Sequence, residues 1–363
     1  MKRTLFSLVV VCLTLTFSAV TCQGLEPDPT PDVTYTYGAY FLNSGTGTQD
    51  DAEITQFNIL LAYVNQNSFA LYNDGKKLGN DARDIRWFGG RLYVTLAGSK
   101  NICVIDSQTF KEVGRISLRD HDGNLLTPAY MEDFENSLLV SFDEGRVASV
   151  DTASLTFSTV QDLGMPARRI AVANQKLYVV CGPDDEGASH TVKMLNPVDL
   201  HVMKTIDVQP NPSYLAVEPT AGELYLISDG DGEGTSSVLQ RIDTDNEEVS
   251  VIKSVKDPVM MAAGPSKSLV IYVKDDSDLG GNFVILNTES EKIAGDFIRD
   301  GSYVKKPSAI MIDQNTGSTY IADDSTPNIG TIQVFTSYGQ LVTTILTGAA
   351  NPCAVAFFTG KAE

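Results

Sequence analysis

Gly90-Arg91-Leu92-Tyr93-Val94-Thr95, Asn101-Ile102-Cys103-Val104-Ile105-Asp106 and Val113-Gly114-Arg115-Ile116-Ser117-Leu118 follow one another along the chain. Each run alternates polar and apolar residues or is rich in β-branched side chains, and Gly, Asp, Asn and Ser lie between the runs, as in short strands joined by turns. A shorter apolar strand led by Pro or a turn residue precedes the set. The unit recurs: its third strand ends at Asp106, Asp151, Asn196, Asp243 and Asn287, spacings of 45, 45, 47 and 44 residues. That period, with four strands per repeat, is expected of propeller blades. A sixth copy runs from Lys306 to Ile345.

The chain ends supply complementary parts of a seventh unit. Asn351-Pro352-Cys353-Ala354-Val355-Ala356 reads as a lone first strand, while Gly38-Ala39-Tyr40-Phe41-Leu42, residues 59–64 and residues 69–72 read as the other three. Pairing them closes the ring and removes its free edges. The expected fold class is all-β: a single seven-bladed β-propeller of four-stranded blades over residues 33–360, closed by one C-terminal and three N-terminal strands.

The first 22 residues read as a signal peptide, with Lys2 and Arg3 ahead of an apolar stretch over 5–20 that is too short to span a bilayer. Residues 23–32 are acidic and Pro-rich, the composition of an extended tether. Phe17-Ser18-Ala19-Val20-Thr21-Cys22 resembles a lipobox, and that resemblance implies lipidation at Cys22. It sets the expected location: exported, held at the outer membrane by a lipid anchor alone.

Composition excludes other classes. The formal charge is −19, from 27 basic and 46 acidic residues, so nucleic acid is an unsuitable partner. Three histidines, His121, His190 and His201, fall in separate segments and give little material for a metal site or acid–base pair. Cys103, Cys181 and Cys353, an odd number, read as small buried thiols rather than a disulfide framework. A monomer is expected.

Aligning the seven first strands on their Pro, with Asp81 in its place once, puts Ala82, Ala129, Ala167, Ser213, Val259, Ser308 and Cys353 at a small position near the axis. One step on come Arg83, Tyr130, Arg168, Tyr214, Met260, Ala309 and Ala354. Strand alternation turns these seven the same way. They predict a lopsided cup at the channel mouth, with Arg83, Tyr130, Arg168, Tyr214 and Met260 binding a ligand. Its competitor has the arginines paired with nearby acids. Trp87, the only Trp, reads as blade core before ligand stacker. Asp184-Asp185-Glu186, Asp229 to Glu233, Asp275 to Asp278 and Asp323-Asp324 form an expected acidic arc. Within it Asp229, Asp231 and Glu233 are weak candidates for Ca²⁺, against a solvated rim. No cofactor is otherwise indicated, and no catalytic residue is assigned.

Leu92-Tyr93-Val94-Thr95 with Cys103-Val104-Ile105-Asp106 resembles the YVTN repeat of seven-bladed propellers, with Leu96 where the repeat has Asn. Tyr40-Phe41-Leu42-Asn43-Ser44-Gly45 ahead of residues 78–85 is similar to the exported surface-layer-like propeller lipoproteins of gut Bacteroidetes. That resemblance implies capture of a small molecule, cobalamin or a related corrinoid, as a ligand rather than a cofactor. A TonB-dependent outer-membrane transporter is the implied partner. A propeller lactonase and a protein-binding scaffold are the alternatives. Lactone turnover separates the first from a binding module.

Overall fold

The computed structural model describes residues 34–183, 189–275, 281–326 and 328–361. It contains seven four-stranded antiparallel sheets. Blade 1 joins Pro352–Lys361, as innermost strand, to Thr34–Asn43, Glu53–Asn58 and Tyr63–Asn65. Blades 2 to 7 follow in chain order over residues 82–116, 128–162, 167–207, 212–251, 258–296 and 307–346. The ring closes as the sequence predicts: Thr34 pairs with Lys361 at one end of the closing ladder and Asn43 with Pro352 at the other.

The strands of blade 1 differ in detail from the expectation. Residues 59–62 form an exposed turn between Glu53–Asn58 and Tyr63–Asn65, and residues 69–72 belong to the helix Ser68–Tyr72. Ala62 and Asn67 take left-handed backbone angles, with φ of 48° and 52°, which break the extended run at both places. An apolar run was therefore mistaken for a strand. The signal-peptide, lipobox and tether readings, including Cys22, lie outside the described residues.

Blade cores form where sheets face one another. The second strands carry Tyr93, Tyr178, Tyr225 and Tyr320, all buried, packed against aliphatic residues of the adjoining blades. Tyr93 is the Tyr of the run Gly90 to Thr95, and the others hold the same place in their blades. Cys103 and Cys181 are buried free thiols, as expected. Burial pushes them up to about 12 and about 11.

Each innermost strand opens with an irregularity. The ladder to its neighbour slips between Ala82 and Asp84, Pro128 and Met131, Ala167 and Ile170, Pro212 and Tyr214, Pro258 and Met260, and Pro307 and Ala309. Such a bulge interrupts strict alternation and re-aims side chains. It occurs at the end of the strand that meets the channel mouth.

Candidate functional site

Two conserved-geometry contacts within the fold fix which residues are equivalent around the channel. The Asp84 amide donates to Thr95 Oγ1 at 3.0 Å just as the Tyr130 amide donates to Ser141 Oγ at 3.1 Å. Thr95 Oγ1 donates to the Ala129 carbonyl at 2.9 Å, and Ser141 Oγ to that of Arg168 at 2.6 Å. Asp84 and Tyr130 are thus equivalent, as are Ala129 and Arg168. Ala82 and Ala167 therefore stand where Pro128, Pro212 and Pro258 stand in other blades, as the strand starts also show.

The cup alignment needs correction in blades 2 and 4, by one residue. Facing the channel are Asp84, Tyr130, Arg169, Tyr214, Ala309 and Ala354, whereas Met260, expected at the site, is buried in the core between blades 6 and 7 and lines no cavity among the described residues. Arg83 and Arg168 belong one step nearer the rim with Ala129, Ser213, Val259, Ser308 and Cys353. Aligning Asp81 and Pro166 with the prolines of other blades caused the shift. The lopsidedness survives it. Asp84, Tyr130, Arg169 and Tyr214 form a polar and aromatic arc, and Ala262, Ala309 and Ala354 an apolar one.

Arg169 is the residue that the sequence reading missed. Its Cζ lies 3.9 Å from the Tyr214 ring centroid and 4.6 Å from that of Tyr130. Stacking engages the guanidinium faces and leaves its N–H donors in plane. Among the described residues no carboxylate, carbonyl or hydroxyl accepts from them. Burial works against its charge, while Tyr214, Tyr130 and Asp84 raise its pKa above the ordinary value. The adjacent pair Arg168-Arg169 at a strand start was the available signal, because a bulge there turns both side chains toward the mouth.

Tyr130, Arg169 and Tyr214 line three cavities at once. Two open at the mouth, of about 1150 and 830 Å³, and the third, of about 420 Å³, runs down the channel. The second and third fall within the range of small-molecule sites, and the first slightly exceeds it. Ser213 and Asp229, hydrogen-bonded at 2.7 Å, lie between the two mouth cavities and line both.

Arg83 and Arg168 also line the mouth, but their charges are engaged. Arg83 Nη1 sits 2.7 Å from Asp143 Oδ2 and its Nη2 3.3 Å from Asp81 Oδ2. Arg168 Nη1 takes the other Asp143 oxygen at 3.3 Å. One carboxylate thus ties two rim arginines together, as the competing reading had it.

Below the stack the channel holds a partly buried charge cluster. Arg86 Nη2 meets Glu132 Oε2 at 2.9 Å, with Asp84 and Asp133 within 3.9 and 3.8 Å. Burial lifts the Glu132 carboxyl to about 7, with Asp133 and Asp84 adding to the rise and Arg86 opposing it. Ala171, Ala216, Ala262 and Met311 line the same channel.

The remaining candidates separate from the site. Cys353 borders the mouth, donates weakly to the Leu42 and Ala82 carbonyls, and is pushed by burial up to about 12, the state of a packing thiol. Trp87 packs edge-on against Phe358 at the far end of its strand. The Ca²⁺ candidates are not gathered. Asp231 accepts from the amides of Glu233 and Thr235 and from Thr235 Oγ1, Asp229 holds Ser213, and no group of three His, Cys, Asp or Glu side chains suited to a metal exists among the described residues. Of the acidic arc, residues 184–186 and 276–278 lie outside the described residues. Asp323 is buried and accepts from the Lys305 and Lys306 amides, and Asp324 pairs with Lys306. His121 and His201 are exposed beside Asp122 and Asp199.

Comparison with known proteins agrees on the fold. No family model and no curated protein matches the chain. Among solved structures it is similar to Kuenenia stuttgartiensis hydrazine synthase, at 17% identity and TM-score 0.57 over 76% of this chain and 89% of that one. The dihydro-heme d1 dehydrogenase NirN in complex with DHE gives 10% identity and TM-score 0.58 over 88% and 75%. A protein of unknown function from Bacteroides caccae gives 10% and 0.50 over 88% and 98%. Likeness at these identities establishes the propeller alone.

Proposed function

We propose that this propeller is a binding module that captures a small molecule at its channel mouth. The observation that carries the reading is Arg169, held between Tyr130 and Tyr214 where three cavities meet and with its N–H donors unclaimed among the described residues. A planar donor fixed by aromatic rings in a half-buried cleft suits a carboxylate, phosphate or amide oxygen. The apolar arc of Ala262, Ala309 and Ala354 suits the body of the same ligand.

The leading ligand class is cobalamin or a related corrinoid, as the resemblance to surface propeller lipoproteins suggests. Export, an anchor at Cys22 and delivery to a TonB-dependent transporter belong to the same reading. In it Arg169 takes the donor role first given to Arg83 and Arg168, which brace the rim through Asp143. That one structural neighbour is in complex with DHE is in keeping with ligand capture by a propeller. Equilibrium dialysis of the chain against cobalamin, followed by the ligand's visible absorbance, tests the class. Stoichiometric retention is expected, and no retention removes the corrinoid.

A hydrolase is the second reading, and Glu132 is what favours it. A carboxyl raised to about 7 inside the channel is placed for acid–base work near neutral pH. Lactone turnover abolished by Glu132→Gln would replace capture with catalysis.

A further inference from the structure

Blade 1 is set apart by charge. In a chain with 46 acidic residues, no Asp, Glu, Lys or Arg occurs from Thr34 through Gln49, from Ile54 through Asn73, or from Leu341 through Gly360. Those stretches contain all four strands of blade 1 apart from their outermost residues Glu53 and Lys361, together with the outer strand Leu341–Leu346 of blade 7.

Strand register says where its exposed apolar residues lie. Asn43 pairs with Pro352 and with Glu53 at one end of the blade, and Ser44 and Cys353 beside that end line the mouth. Thr34 pairs with Lys361, Gly38 with Asn58, and Asn58 with Tyr63 at the other end, away from the mouth. The turn over residues 59–62 is therefore on the far face. Leu60 and Leu61 there are 70% and 77% exposed, and Tyr63, Tyr35 and Phe358 are exposed around them. Tyr37 stacks at a tilt on Phe358 at 6.2 Å, and the Ile59 amide donates to the Tyr37 carbonyl, joining turn and strand ends into one corner. Two fully projecting leucines rimmed by tyrosines, without a charged neighbour in their own segments, are costly in water and suited to a membrane interface.

We infer that the corner of Tyr35, Leu60, Leu61, Tyr63 and Phe358 rests in the headgroup region of a lipid bilayer and turns the mouth away from it. What identifies the occupant as lipid is the chain itself. The first strand starts at Thr34 in this corner, and the residues before it carry the tether and Cys22. The eleven residues 23–33 reach at most about 40 Å, so a lipid at Cys22 holds this corner within reach of the bilayer. In that respect the inference rests on the anchor reading, while its docking surface does not.

The test separates the two. The described strands lie within residues 34–361 and the ring closes among them, so the chain from residue 34 onward contains the whole closed ring. It is mixed with phosphatidylcholine vesicles and floated on a density gradient, and Trp87, which packs against Phe358, reports contact through quenching by bromine-labelled lipid. Flotation that persists in high salt, with quenching, is expected, and Leu60→Ser with Leu61→Ser lowers the partition coefficient at least tenfold without changing Tm. No flotation, or equal flotation of the variant, overturns the inference. So does a concentration-dependent dimer that the same substitutions abolish while vesicles stay unbound. Mass spectrometry of Cys22 in the full chain reads the anchor separately, and an unmodified Cys22 removes the anchor without altering the vesicle result.

Discussion

At the scale of single residues, the site turns on which side chains keep their charges available. Asp143 occupies Arg83 and Arg168, whereas Arg169 is stacked on two aromatic rings, with Asp84 acting on it electrostatically and no ion pair among the described residues. The sequence shows Tyr130 and Tyr214 but makes Arg83 and Arg168 the donors and passes over Arg169, because Asp81 and Pro166 align with the prolines of other blades, one residue before the strand starts at Ala82 and Ala167. Glu132 gives a pH prediction at this scale. Its neighbours are Arg86, Asp84 and Asp133, and its folded pKa of about 7 lies above the ordinary carboxyl value. The folded state then holds more protons than the unfolded one between about pH 4.5 and 7, so this group lowers stability as pH rises through that window. Denaturant unfolding of Glu132→Gln should show a flatter stability profile there, by up to about 3 kcal/mol across the window. An unchanged slope would mean that Arg86 keeps Glu132 ionised.

Single elements were legible where their pattern had one explanation. The third-strand ends at Asp106, Asp151, Asn196, Asp243 and Asn287 marked the blades, and the second strands bury Tyr93, Tyr178, Tyr225 and Tyr320 in the blade cores. The Tyr178 hydroxyl is buried with no hydrogen-bond partner among the described residues. Tyr178→Phe should therefore leave stability unchanged or raise it, whereas Tyr178→Ala should cost about 3–5 kcal/mol through the cavity it opens. Urea unfolding of both variants distinguishes them, and a large loss in the Phe variant would reveal a hydroxyl partner. Residues 59–64 misled for a physical reason. Apolar content identifies a strand only if the residues are buried, and Leu60 and Leu61 project from a turn made by the left-handed Ala62.

For the whole molecule, closure couples the chain ends. The ladder from Thr34–Lys361 to Asn43–Pro352 completes blade 1 from both chain ends. A chain ending at residue 351 removes the innermost strand of blade 1, exposes its core residues Ala39 and Phe41, and is expected to lose cooperative unfolding by calorimetry and to aggregate. A single sharp transition in that truncated chain would show that closure contributes little. The period of the repeat made this architecture readable, since a blade spacing near 45 residues admits few folds, while ligand chemistry depended on one-residue registers at the mouth that periodicity does not reach. Paired binding isotherms of cobalamin with the unaltered chain and with Arg169→Ala, at one salt concentration and with Tm recorded for both, therefore test capture at the stack. Affinity should fall about tenfold or more, some 1.4 kcal/mol, with Tm nearly unchanged, whereas equal affinity in the two proteins would place the ligand elsewhere and remove Arg169 from the site.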